Sequence, residues 1–225
     1  MISDNLNGVY QKITEACVKA KRQPSDVTLV AVTKSVDAVA ARQLVENGVI
    51  NLAENRVDKL LEKQHDLKDQ TAIKWHLIGN LQRRKVKDII NQIDYFHALD
   101  SLRLAQEIEK RAETEIKCFV EVNISGEASK HGFSPEEVLN FVNELKTFQK
   151  VKVIGLMTMA PLTATEAEIR VIFKQLKKLQ TTVQDLEIEQ APCSELSMGM
   201  SNDFGIAIEE GSTFIRVGRM LFGAM

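Results

Sequence analysis

The stretch TLVAVTK, residues 28–34, is an almost unbroken apolar run that ends on a lysine. A strand of Leu, Val and Ala without polar alternation is buried on both faces, the habit of a parallel sheet covered by helices. Outward from it, similar short runs return at VINLAEN (49–55), KWHLIGN (74–80), DYFHALD (94–100), KCFVEVNIS (117–125), VKVIGLMTM (151–159), ELSMGM (195–200) and FIRVGRMLFG (214–223). Charged stretches of helical period separate them, such as AVAARQLVENG (38–48) and EAEIRVIFKQLKKLQTTVQDL (166–186). Eight such units predict an α/β chain closed as a TIM-type (β/α)8 barrel, with a doubly wound open sheet as the alternative.

Helix boundaries agree with this registration. Asp37 begins the first intervening helix and Gly48 ends it; Ser134, Pro135 and Glu137 read as an N-cap, a first-turn proline and an acidic third position; Gly211 closes a short helix before the last strand. Residues 1–22 form an additional amphipathic helix ahead of the first strand. With four prolines and no Gly/Ser-rich tract, nothing marks an internal boundary, and residues 1–225 are expected to form a single domain.

The balance of 29 basic and 31 acidic side chains gives no field that would draw nucleic acid or anionic lipid, so the expected partner is small. Cys17, Cys118 and Cys193 are odd in number and have no C-x-x-C spacing, which argues against disulfides and zinc and for a reducing compartment. The N-terminal stretch lacks the apolar centre of a signal peptide, and no run approaches the roughly 18 apolar residues of a membrane span. A cytoplasmic protein is expected.

Barrel chemistry collects at the carboxyl ends of the strands. There the sequence places Lys34, Asn55, His76 and Gly79, Asn123 and Ser125, then SMGMS and RVGR. Gly199 and Ser201 precede a short helix, where free N–H groups and a hydroxyl would suit an anion, and Gly218 lets backbone approach a ligand; a phosphate at the loops after the last two strands is the expectation. A lysine partly buried beside such a site would have a lowered pKa and could attack an aldehyde to form a Schiff base. Arg216, two residues before Gly218 on the same face, needs an acceptor, which could be a buried glutamate or a ligand ring nitrogen. His76 reads as a core histidine with its hydrogen bonds satisfied.

These motifs, AVTK (31–34), AENRVDKL (53–60), WHLIGNLQRRK (75–85), HGF (131–133), GLMTMAP (155–161), LSMGMSNDF (196–204) and AIEEGSTFIRVGRMLFG (207–223), span nearly the whole chain. In that order they resemble the pyridoxal phosphate homeostasis protein family, and the pattern is similar to the barrel domain of alanine racemase, the fold type III pyridoxal phosphate enzymes. The resemblance implies pyridoxal 5'-phosphate (PLP) on Lys34 as a Schiff base. It implies Ser201 with the backbone around Gly218 and Arg219 on the phosphate, and Arg216 on the pyridine nitrogen. Asn55 and His76 would lie near the ring and the lysine, with Met198, Gly199 and Met200 shaping the wall.

An arginine partner keeps the ring nitrogen unprotonated and weakens the ring as an electron sink. The sequence closes with FGAM directly after the eighth strand, whereas the racemases continue into a domain that supplies an opposing tyrosine; here the tyrosines are Tyr10 and Tyr95. The resulting expectation is a monomeric PLP carrier for intracellular homeostasis, touching apo PLP enzymes transiently and not turning over a substrate. A racemase-like enzyme using Lys34 as base and a cofactor-free Schiff-base aldolase are the alternatives.

Overall fold

A closed parallel barrel forms in chain order, each strand pairing with the next and the eighth returning to the first. The computed structural model describes residues 1–127 and 131–223; Ala224 and Met225, which complete the FGAM run, lie outside that range. The elements are α1 (Ile2–Lys19), β1 (Thr28–Val32), α2 (Ala38–Glu46), β2 (Asn51–Glu54), α3 (Val57–Asp66), β3 (Lys74–Leu77), α4 (Val86–Ile89) and β4 (Tyr95–Leu99). Then follow α5 (Leu102–Arg111), β5 (Ile116–Glu121), α6 (Pro135–Glu144), β6 (Val151–Met157), α7 (Glu166–Gln184), β7 (Glu195–Met200), α8 (Phe204–Glu209), β8 (Phe214–Val217) and α9 (Arg219–Phe222). The expected (β/α)8 barrel with an extra N-terminal helix is therefore the fold, and the open sheet is excluded by the β1–β8 pairing.

The helix starts expected at Asp37 and Ser134 are found, and Thr165 marks a further one. Asp37 accepts from the Ala40 N–H, and Ser134 with Glu137 and Thr165 with Glu168 form reciprocal capping boxes. Gly48 and Gly211 both adopt left-handed backbone after their helices, with φ of 86° and 103°. In α1 the buried face is Leu6, Val9, Ile13, Ala16 and Cys17, at helical spacing. The helix packs near the end of the chain: Asn5 Nδ2 donates to the Leu221 carbonyl at 3.1 Å, and Arg22, just past the helix, donates to the Ile208 carbonyl at 2.8 Å. The first helix thus fixes α8 and α9, the two short helices that flank the barrel mouth.

Strand alternation divides the interior into two cores. Ala31, Leu52, Leu77, Phe96 and Leu156 lie on the outward face beneath the helices and are fully buried. The inward face is aromatic and polar: His76 stacks on Tyr95 with centroids 4.4 Å apart, His97 stacks on Phe119 at 4.4 Å, and Phe214 meets all four rings. The strands are shorter than the apolar runs suggest, since β1 stops at Val32, β2 at Glu54 and β3 at Leu77. Lys34, Asn55 and Gly79 consequently stand on the rim loops. At the end of β1 a side chain takes over a backbone acceptor, Lys63 donating to the Thr33 carbonyl.

Candidate functional site

Lys34 lies on the inward parity of β1, after Val30 and Val32, and projects from the carboxyl end of the barrel. The partial burial expected for it is not found: its side chain is exposed on the rim. Its backbone is nevertheless tightly held. Lys63 Nζ donates to the carbonyls of Thr33 at 2.7 Å and Val36 at 2.9 Å and pairs with Glu54 at 2.5 Å, while the Thr33 hydroxyl donates to the same Glu54 oxygen at 2.6 Å.

Next to β1, on β8, Arg216 is 4% exposed and donates to Ser197 Oγ at 2.5 Å and to the Thr158 carbonyl at 3.1 Å. Burial pushes its pKa down to about 10, opposed by Asp203 and Glu121. From Ser197 the chain of contacts continues: Ser197 Oγ to His97 Nδ1 at 2.8 Å, His97 Nε2 to His76 Nδ1 at 2.9 Å, and His76 Nε2 to Asn51 Oδ1 at 3.0 Å. Burial drives His76 down to about 3 and His97 well below its usual value, so both rings are neutral. With Asn51 Oδ1 an acceptor, each neutral ring donates on one side and accepts on the other, and all four bonds run one way, from Arg216 through Ser197, His97 and His76 to Asn51. His76 is therefore a satisfied interior residue with both nitrogens engaged, and its link toward the mouth passes through Arg216.

Beside Arg216, the β7–α8 turn and the β8–α9 junction meet at Ser201. The sequence reading puts Ser201 immediately ahead of a helix, but Asp203 is the N-cap of α8. Asp203 closes the turn by accepting the Met200 N–H at 2.6 Å, leaving the Ser201 hydroxyl to face the Met220 N–H of α9 at 3.5 Å. Gly199, at φ 96°, is a bulge in β7, where Ser197 pairs with Phe214 and Met200 with Arg216. A Cβ on Gly199 would stand 2.6 Å from Ala207 Cβ, so the glycine seats α8 on the sheet. Because Ser197 points inward, Met198 points outward and is wholly buried among the core side chains. Met200, in register with Arg216, is partly exposed. Gly218 brings the start of α9 against β1, with the position of its missing Cβ 3.1 Å from the Val32 carbonyl, and exposed Arg219 follows. Asn55 is exposed on the rim after β2, its carbonyl 2.0 Å from where a Gly79 Cβ would be.

Sequence reasoning missed Glu121, Lys63, His97 and Ser197. Each left a trace, a polar side chain inside an otherwise apolar strand or on the buried stripe of a helix, but what each touches depends on strands far away in sequence.

Against this geometry, the family described as alanine racemase, N-terminal domain, matches residues 10–225. A pyridoxal phosphate homeostasis protein of Aquifex aeolicus is 37% identical over 98% of this chain and 96% of its own length. The chain belongs to the pyridoxal phosphate homeostasis protein family. Another member, from Pseudomonas aeruginosa, is 34% identical over 99% of the chain and 95% of its own. The structure of PipY from Synechococcus elongatus with PLP bound superposes with a TM-score of 0.87 at 33% identity, covering 99% of this chain and 100% of that one. Alanine racemase of Clostridium difficile shares the fold, with a TM-score of 0.75 at 16% identity, and this chain spans 56% of it.

Among the described residues no helix is long and apolar enough to cross a membrane, and no group of three or more His, Cys, Asp or Glu could hold a metal ion. The cysteines of this family member are free and buried, and burial pushes the Cys118 and Cys193 thiols up, Cys193 to about 12.

Proposed function

We propose that this protein binds PLP at the carboxyl end of the barrel and serves its homeostasis, storing the cofactor or handing it to apo PLP enzymes in the cytoplasm. The observation that carries the reading is the end-to-end likeness to PipY, whose structure has PLP bound. The donor set fits the group: a lysine amine for an aldehyde, the Ser201 hydroxyl with the N–H groups opening α9 for a phosphate, and the Arg216 guanidinium for a ring nitrogen. When bound, the cofactor supplies an electrophilic aldehyde and an aromatic ring able to delocalise charge.

The protein's own part is to hold and orient. Lys34 would secure the group covalently, Ser201, Gly218 and Arg219 would receive its phosphate, and Met200, Gly199 and Asn55 would border it. Arg216 cannot accept a proton, which restrains carbanion chemistry at the ring. Tyr95 lies at the start of β4, the end opposite the mouth, and Tyr10 lies on α1, so neither is placed to act as an opposing base. The buried, protonated thiols suit a reducing compartment.

The test is spectroscopic. Protein loaded with PLP should absorb visible light, and borohydride should fix one cofactor on Lys34, seen by intact mass and peptide mapping. Lys34→Ala should lose both signals; an adduct on another lysine would reassign the site. Alanine racemisation above the free-cofactor background would move the reading toward a racemase.

A further inference from the structure

Across the mouth from Lys34 stands a carboxylate that the fold leaves incompletely satisfied. In a closed eight-stranded barrel β5 lies opposite β1, and β4 lies opposite β8. Glu121 is the last residue of β5. Phe119, two residues earlier, stacks on His97 inside the barrel, so Glu121 also points inward, one layer nearer the mouth. It is 5% exposed, and its Oε2 is buried without a hydrogen-bond partner.

Its placement is built rather than incidental. The Phe133 N–H donates to the Glu121 carbonyl at 2.9 Å, and Gly132, at φ 106°, lies so close that a Cβ there would stand 2.7 Å from that carbonyl and 3.1 Å from Glu121 Cγ. Asp100, just past β4, is a second half-buried carboxylate facing the same space, and exposed His131 stands near both at the rim. Burial raises both carboxyls, Glu121 further because of Asp100. Arg216 is near enough to be felt, yet its two bonded nitrogens are turned to Ser197 and Thr158, and no ion pair joins it to Glu121 among the described residues. A buried acceptor left unmet costs about 1–3 kcal/mol; of the three such side-chain atoms among the described residues, with Glu54 Oε2 and Gln190 Oε1, Glu121 Oε2 belongs to the residue that ends an inward-facing strand at the mouth, where an outside donor can reach it. Asp100, Glu121 and His131 do not converge as a metal-holding group. A compact cationic donor, an ammonium group, suits them.

We propose that Glu121, with Asp100, forms a subsite for the ammonium group of a primary amine that displaces Lys34 from the cofactor. This rests on the PLP-binding reading above. In the exchange the incoming ammonium gives one proton to the Glu121 carboxylate, and its freed lone pair forms a C–N bond to the carbon held by Lys34. Both bonds of that carbon to Lys34 Nζ then break and their electron pairs stay on Nζ, which takes up the proton from Glu121 and a second one directly from the incoming nitrogen, while that nitrogen's freed N–H pair completes the new C=N bond. Nothing is oxidised or reduced. The amine could be a free amino acid or a lysine side chain of a recipient protein, which share this chemistry.

Two measurements test it. In cofactor-free protein, n-propylamine hydrochloride should produce saturable amide shifts at Val122 and Phe133 by NMR, and Glu121→Gln should abolish them. In PLP-loaded protein, decay of the visible band is followed on adding alanine, Nα-acetyl-lysine or methoxyamine, the last uncharged at neutral pH. Glu121→Gln should slow the two cationic amines on the order of tenfold, as expected for a lost hydrogen bond to a charged group, and leave methoxyamine within about twofold. Asp100→Asn should give the same pattern more weakly, which guards against misfolding of the first variant. Whichever cationic amine is faster identifies the source, and either supports the subsite. Equal slowing of all three amines, no slowing, or unchanged shifts in Glu121→Gln would overturn it. A loaded wild-type protein without a visible band would instead defeat the PLP reading, leaving the amine titration to stand or fall alone.

Discussion

Lys63 of α3 holds its ammonium 2.7 Å from the carbonyl oxygen of Thr33, the residue immediately before Lys34. The same ammonium pairs with Glu54 of β2, the two side chains being 9% and 1% exposed. A helix one βα unit away thus fixes the backbone from which Lys34 projects. The exposed Lys34 side chain thus stands on an anchored backbone.

The clamp predicts a stability phenotype. Lys63→Met leaves the Glu54 carboxylate buried without a cation and should cost about 3–5 kcal/mol, read from urea denaturation. The double change Glu54→Leu with Lys63→Met should recover most of the loss. If the single variant is as stable as the parent, the pair does not hold the strand end.

Ser201→Ala should weaken cofactor retention by about 1.5–3 kcal/mol, one hydrogen bond to a charged group, with little change in folding stability. Equilibrium dialysis of loaded protein measures it. Equal retention by variant and parent would place the phosphate elsewhere.

Acid should destabilise the barrel through its interior histidines. The folded-state pKa of His76, about 3, lies below the unfolded value of about 6.5, so as pH falls the unfolded chain takes up the proton first. The stability this neutral ring contributes is complete above pH 6.5 and drains away toward pH 3; His97 acts in the same sense. Replacing both by glutamine should flatten the fall in urea midpoint between about pH 6 and 4 relative to the parent. An unchanged slope would assign the acid sensitivity to carboxylates.

Gly79→Ala should be severe despite its size. The added Cβ would lie 2.0 Å from the Asn55 carbonyl oxygen, a backbone atom with nowhere to go, so the rim loop carrying Asn55 must shift. A loss of about 1–3 kcal/mol is expected, together with weaker cofactor retention, whereas Gly8→Ala, in open space on α1, should be neutral or mildly stabilising.

The sequence by itself determined the number and order of the strands, the helix starts at Asp37 and Ser134, and the clustering of Lys34, Ser201, Arg216 and Gly218 at strand ends, because periodicity and capping are local properties of a chain. Membership of a family followed from motifs distributed along its length. Tertiary structure alone decided where the strands stop, that Asp203 rather than Ser201 holds the N-cap position of α8, and that Ser197 faces the barrel interior, which turns Met198 outward. It also decided the partners of the buried polar groups. Arg216, Ser197, His97, His76 and Asn51 come from five different segments and become one directed hydrogen-bond chain only when the barrel closes. Glu121 reads as an ordinary strand acid until closure sets it across the mouth from Lys34. Closure fixes which inward side chains face one another, a long-range relation that no local pattern encodes.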